Sequence, residues 1–268
     1  MLIHPTHERL LQLRLHGMAK ALAEQAQTPA VQALSFEERL GLLVDREATE
    51  RHNRQTSSRL RRARLKQAAV AEDIDYRHPR GLDRTLFRRL LAGEWVRGHQ
   101  NVLLTGPTGV GKTYLACALA NAACRQGFTA LYQRLPRLLE ELALGRADGR
   151  YLKLMASFSK VDVLVLDDWG LAILDDARRR DLLELLDERY QTRSTVITSQ
   201  LPMAHWHEAL GDATLADAIL DRLVHHAHPI TLTGESLRKV QGALTRAAGL
   251  GSGPIDPGQA PSRVTADP

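Results

Sequence analysis

Two stretches of the chain combine residue types and spacing that can handle a phosphate. The first is Gly106-Pro107-Thr108-Gly109-Val110-Gly111-Lys112-Thr113, a full match to G-x-x-x-x-G-K-[ST]. Glycines at 106, 109 and 111 let backbone N–H groups turn inward and cradle phosphate oxygens. Lys112 then reaches the β and γ phosphates of ATP, and the Thr113 hydroxyl ligates Mg2+. The second stretch is Asp167-Asp168, at the end of the apolar run Val161-Asp-Val-Leu-Val-Leu166. Alone, such a pair reads equally well as a strand end before a turn at Gly170. Beside a complete phosphate loop, Asp167 is placed on the magnesium and Asp168 on the attacking water as its general base. A third strand end, Thr198-Ser199-Gln200, is open between a sensor of the γ phosphate and a satisfied polar terminus.

The elements that must position these residues follow from the apolar pattern. Asn101–Thr105, Thr129–Gln133, Val161–Leu166, Ser194–Thr198 and a short Ile230–Leu232 run predict strands. Helices are expected from about Lys112 to Gln126, from Pro136 along a leucine face, from Asp175 to Tyr190, and from about Ser236. Strand alternating with helix predicts an α/β fold, a parallel sheet covered on both faces. Residues 1–70 read as helices with a break at Pro29 and a helix start at Ser35, followed by a lead-in from 71. From Gly249 on, glycine, proline and small polar residues predict a disordered tail over 249–268. The expected domains are 1–70, 71–248 and that tail.

Composition narrows the partners. The chain of 268 residues is 44% hydrophobic, enough for a proper core, and carries a formal net charge of +5. No apolar run is long enough to span a bilayer, and the N-terminus carries charge where a signal peptide needs an apolar stretch, so a cytoplasmic protein without a membrane partner is expected. Cys117 and Cys124 lie too far apart along one helix to bridge. The cations Arg51, Arg54, Arg59, Arg61, Arg62, Arg64 and Lys66 follow one another with almost no acid between them. They form either a solvated helix face or a helix that tracks phosphates, the latter favoured because such crowded like charges repel unless a polyanion neutralises them. Aromatic residues make up only 4% of the chain, which favours contact with a duplex backbone over base stacking. The histidines at 205, 207, 225, 226 and 228 lack the cysteine or paired acid that would complete a metal site, and Trp95, Trp169 and Trp206 read as packing residues.

The loop 101–113, the block Val165-Leu-Asp-Asp-Trp-Gly170, and Thr198-Ser-Gln-Leu-Pro202 followed by His205-Trp-His207 together resemble the IstB helper ATPases of insertion sequences, relatives of the bacterial helicase loader DnaC. The resemblance covers nearly all of residues 1–246. It implies an AAA+ core with sheet order 5-1-4-3-2, a helical N-terminal domain and a small helical lid. It also implies ATP-dependent self-assembly on duplex DNA and delivery of that DNA to a cognate transposase. Carried over by position, Ser199, with neighbouring Thr198, is the first sensor, Arg222 the arginine finger and Arg238 the second sensor. Arg146, Arg150 and Lys153 fall where relatives carry extra DNA-contacting helical structure. Most AAA+ members have Asp-Glu in place of Asp167-Asp168, and the shorter second acid suits slow hydrolysis used as a timer. A helicase loader, and a nucleotide-switched scaffold that does not hydrolyse ATP, remain as alternatives.

Overall fold

The computed structural model describes residues 5–237. Arg238, nearly all of the predicted last helix and the 249–268 tail lie outside the described residues. The chain runs α1 (Pro5–Gln12), α2 (His16–Gln27), α3 (Pro29–Gln32), α4 (Phe36–Ala63), α5 (Arg84–Leu91) and α6 (Glu94–Arg97) into the first strand. There follow β1 (Asn101–Thr105), α7 (Lys112–Arg125), β2 (Ala130–Arg134), α8 (Leu135–Ala147), α9 (Tyr151–Ser159) and β3 (Val163–Trp169). Last come α10 (Asp176–Arg189), β4 (Ser194–Ser199), α11 (Trp206–Leu210), α12 (Ala213–Val224) and β5 (Ala227–Thr231).

The five strands pair in parallel in the order β2-β3-β4-β1-β5, the expected order read from the other edge. Because side chains alternate along a strand, the sheet splits its apolar residues between two cores. Val102, Leu104, Val163, Val165 and Val196 face α5, α6 and α7. Leu103, Leu164, Leu166 and Ile197 face α8 to α12, where Trp169 and Trp206 pack with ring centroids 5.3 Å apart. All three tryptophans are buried. Pro229 is tolerated because β5 is an edge strand.

The predicted third strand ends too early. β3 continues through Asp167 and Asp168 to Trp169, and its register against β4 shifts between Leu166↔Ile197 and Trp169↔Ser199. Two residues of β3 thus oppose Thr198 alone, which makes a bulge, with Asp168 in the left-handed region at φ 65°. A bulge re-aims side chains, and this one sits on the two acids.

Helix α4 starts as expected. The Glu38 N–H donates to Ser35 Oγ at 3.3 Å while the Ser35 N–H donates to Glu38 Oε2 at 2.8 Å. Near its start α2 is held by buried Glu47, which accepts the N–H groups of Gly17 at 2.7 Å and Met18 at 3.2 Å. The far end of α4 belongs to the sheet layer: Ala63, then Ala69 beyond the helix, are fully buried in the core that contains α7. Twenty-eight residues at 1.5 Å each give α4 a length of about 42 Å, so it spans from the N-terminal helices to the sheet layer.

Candidate nucleotide site

At the carboxyl ends of β1, β3 and β4 lies an open cleft of about 510 Å³, where ligands bind in open α/β sheets. The glycine-rich loop forms one wall. Gly106 takes φ 142°, and a Cβ there would collide with the Leu232 carbonyl. Gly111 takes φ 94°, and a Cβ would sit 2.6 Å from Arg80 Nη1. Arg80, buried, braces the loop from behind by donating to Val110 O at 3.1 Å and to Asp75 O at 2.9 Å. Sequence reasoning misses it, for nothing in Pro79-Arg-Gly81 marks a buried arginine.

Lys112 opens α7 and folds back over the loop, its Nζ donating to Gly106 O at 2.6 Å and Pro107 O at 2.7 Å. Burial lowers its pKa, and the charges of Asp167 and Asp168 oppose that shift. The first-turn N–H groups of α7 face the same cleft, a favourable place for an anion. Thr108 Oγ1 donates to Gln200 Oε1 at 2.7 Å and ties the loop to the end of β4.

Asp167, only 1% exposed, lies at the centre of the floor. Thr113 Oγ1 reaches its two oxygens at 3.0 and 3.2 Å. Thr198 Oγ1 donates to Oδ1, Tyr132 OH to Oδ2, and Lys66 Nζ to Oδ2 at 3.4 Å. Burial would raise the Asp167 pKa, yet the hydroxyls of Thr198, Tyr132 and Thr113 and the Lys66 charge outweigh it, leaving the group below its ordinary value of 3.8. The Tyr132 phenol moves the other way, raised by burial and then by its bond to the Asp167 charge. Asp168 stands beside the cleft with Oδ2 accepting from Arg134 Nε at 2.5 Å.

This donor set fits ATP with Mg2+. A hydroxyl and an ionised carboxylate, Thr113 and Asp167, are the hard oxygens that magnesium takes. Gly106 and Gly111 hold the loop in a conformation that a Cβ would block against Leu232 and Arg80, and Lys112 lies over the loop. Among the other expected site residues, Thr198 rather than Ser199 touches Asp167. Ser199 lines the cleft, but its Oγ donates to Trp169 O at 2.9 Å and accepts from the Leu201 N–H at 3.0 Å. Arg222 is far from the cleft: its Nε donates to Asp187 Oδ1 at 2.7 Å, and its carbonyl accepts from Asn101 Nδ2 at 3.2 Å, at the opposite end of β1.

The predicted DNA-binding residues separate into groups. Arg51, Arg54, Arg61 and Arg62 are exposed and fall within roughly one 100° arc of α4, at 3.6 residues per turn. Arg64 is exposed just beyond, in the left-handed C-cap. Arg51 is paired with Glu47 at 2.7 Å, and Arg59 is half-buried. Lys66 leaves the row and enters the cleft. Arg146 is engaged elsewhere: it pairs with buried Asp181 and stacks on the Tyr151 ring at 3.8 Å, clamping α8 and α9 to α10. Arg150 pairs with Asp148 at 2.5 Å, and Lys153 is exposed. Among the described residues no helix is long and apolar enough to cross a membrane.

Comparison with known proteins agrees with this geometry. A family model, IstB-like ATP binding protein, matches residues 8–245. An insertion sequence ATP-binding protein of Sinorhizobium fredii is 54% identical over 241 residues, covering 90% of this chain and 98% of that one. The ATP-binding protein of insertion sequence IS21 from Pseudomonas aeruginosa is 36% identical over 242 residues, 89% and 90% of the two chains. Among solved structures, DnaI is 27% identical with a TM-score of 0.54, covering 62% of this chain and 92% of its own. AMPPCP-bound DnaA from Aquifex aeolicus, at 16% identity, TM-score 0.52, and 68% and 56% coverage, shares the fold. The core is therefore an AAA+ sheet.

Proposed function

Because the chain belongs to the IstB-like ATP-binding family, we propose that it is an assembly ATPase of transposition. In this reading it self-assembles with ATP on duplex target DNA, remodels that DNA, delivers it to a partner transposase, and uses slow hydrolysis as the release timer. The observation that carries the reading is the separation of Arg222 from the cleft. Its carbonyl is tied to Asn101 at the amino end of β1, and the phosphate loop leaves the carboxyl end. At ~3.3 Å per residue these ends lie roughly 13 Å apart. Arg222 therefore serves no phosphate of its own copy; on leaving Asp187 it would serve a neighbour's, as an arginine supplied in trans.

Within one copy the residues divide the work. The N–H groups of the loop and Lys112 hold and neutralise the phosphate tail. Thr113 and Asp167 hold Mg2+, which when bound neutralises charge on the transferring group. Asp168 orients and deprotonates water once Arg134 lets it go. Thr198 and Ser199 line the floor where the terminal phosphate would lie, and Arg238 is proposed as the second sensor. Residues 1–70 form the DNA-binding and assembly part, and 71–248 the ATPase core with its lid. The exposed face of Arg54, Arg61, Arg62 and Arg64 tracks duplex phosphates, with Arg51, Arg59, Arg150 and Lys153 as further candidates. Binding through phosphates positions a protein on DNA with little sequence preference, which suits a choice of varied targets.

Fluorescence anisotropy of a labelled duplex tests this. Binding should rise with Mg-ATP or a non-hydrolysable analogue, and not with ADP. Replacing Arg54, Arg61, Arg62 and Arg64 by Ala should weaken it and lower the salt slope by up to about 3.6, at ~0.9 for each phosphate that an arginine no longer neutralises. An unchanged salt slope places the DNA-binding face elsewhere. A helicase loader is the second reading, and tighter binding of a single strand in the same assay would favour it. Undetectable ATP turnover, with and without duplex, would instead leave a nucleotide-switched scaffold.

A further inference from the structure

Lys66 touches the carboxylate that the nucleotide reading assigns to magnesium. The Asp167 oxygens are already fully used: Thr113 and Thr198 approach Oδ1, and Tyr132 and Lys66 approach Oδ2. A carboxylate offers about four lone-pair sites, so a metal ion can reach it only if one donor leaves. Tyr132 and Thr198 are buried and fixed by β2 and β4. Thr113 stays, since its hydroxyl oxygen can itself face the ion. Lys66 is the donor free to go, being 42% exposed and making the longest approach, 3.4 Å. It is also the donor that a second cation repels.

Its backbone is held on both sides, where Ala63 and Ala69 are fully buried. Only the four-carbon stem moves, inside a cleft that Lys66 and Gln67 line together with Thr108, Lys112 and Arg134. The anion within reach of a lysine displaced from the metal-binding carboxylate is the terminal phosphate of the bound nucleotide.

We propose that Lys66 is a γ-phosphate ligand that rests on Asp167 when the cleft lacks nucleotide. The proposal rests on the nucleotide reading of the cleft. It makes the connector after α4 a detector of ATP against ADP: with ATP the ammonium has a phosphate to hold, and with ADP it has none. Lys66 lies two residues past Arg64, so the detector is joined directly to the basic row.

The test is binding of fluorescent mant-nucleotides with Mg2+ to the full chain, unmodified and as Lys66→Met and Lys66→Arg. Methionine keeps the four-atom stem and removes the charged end. For Lys66→Met, the Kd of a non-hydrolysable mant-ATP analogue should rise about tenfold, the scale of one half-exposed charge-assisted hydrogen bond. The Kd for mant-ADP should stay level or fall, because the competitor for Asp167 is gone. Lys66→Arg should restore most of the preference for ATP. A merely structural role would weaken both nucleotides alike, and that outcome overturns the proposal, as does an unchanged ATP affinity. If the unmodified chain binds neither nucleotide, the nucleotide reading itself fails and the proposal with it.

Discussion

Replacing Tyr132 by Phe removes one hydroxyl from the floor of the cleft and leaves the ring, which is 8% exposed, in its packing. That hydroxyl donates to Asp167, whose burial makes each of its donors count. A hydrogen bond to a charged group is worth about 1.5–3 kcal/mol. Three other donors remain to relax around Asp167, so the lower end, ~1.5 kcal/mol, is the figure expected. At about 2–4 °C per kcal/mol for a domain of this size, Tm should fall by about 3–6 °C. The assay is a double-mutant cycle by calorimetry at neutral pH: Tyr132→Phe, Asp167→Asn and the pair. If the bond to the charge is the cause, the coupling should be ~1.5 kcal/mol, and Tyr132→Phe should cost little once Asp167 is neutral. The pH sign follows from the same bond. Asp167 has a depressed pKa in the fold, so its contribution is fully present above 3.8 and is lost as pH falls through the lower folded value. A coupling near zero, or an equal cost in both backgrounds, would refute the assignment of Asp167 as a buried, ionised centre.

Arg134→Ala frees Asp168 from its 2.5 Å partner, and ATP turnover measured without DNA should rise severalfold; unchanged turnover would mean that the pair restrains nothing. Arg189 is buried and donates to the carbonyls of Phe158, Ser159, Val161 and Ser194 and to Thr195 Oγ1, stapling α9 and α10 to the sheet. Arg189→Met leaves those acceptors bare and should cost on the order of 3 kcal/mol or more in denaturation; a loss under ~1 kcal/mol contradicts the staple. At Gly17 an added Cβ meets Arg46 O and Glu47 Cα at 2.7 Å, so Gly17→Ala should loosen α2 from α4, read as faster amide exchange in residues 16–27 with ATP binding unchanged.

The phosphate loop, the order of elements and the start of α4 were legible because each is local: a fixed spacing, a run of apolar residues, a Ser and a Glu three apart. What escaped is non-local or backbone-borne. Tyr132 and Lys66 meet Asp167 from 35 and 101 residues away, and no spacing encodes that. A clue for Tyr132 and Arg134 existed, since polar residues closing a strand of a parallel sheet line its ligand edge. The bulge that turns Asp167 and Asp168 uses an aspartate at φ 65°, with no glycine to announce it. Charge pattern placed Lys66 with the basic row, and resemblance placed Arg146 among the DNA contacts; neither shows which cations a buried acid has already paired.

In the proposed function, ATP joins copies of this chain on duplex DNA through a shared site. An electron cryomicroscopy image of the full chain with Mg2+, a non-hydrolysable ATP analogue and duplex DNA tests it most directly. Several copies should lie side by side, with Arg222 of each at the phosphates held by the next copy's Lys112 and the duplex along Arg54, Arg61 and Arg62. Single copies on DNA, or a nucleotide enclosed by one chain with no neighbour's Arg222 beside it, would contradict the account.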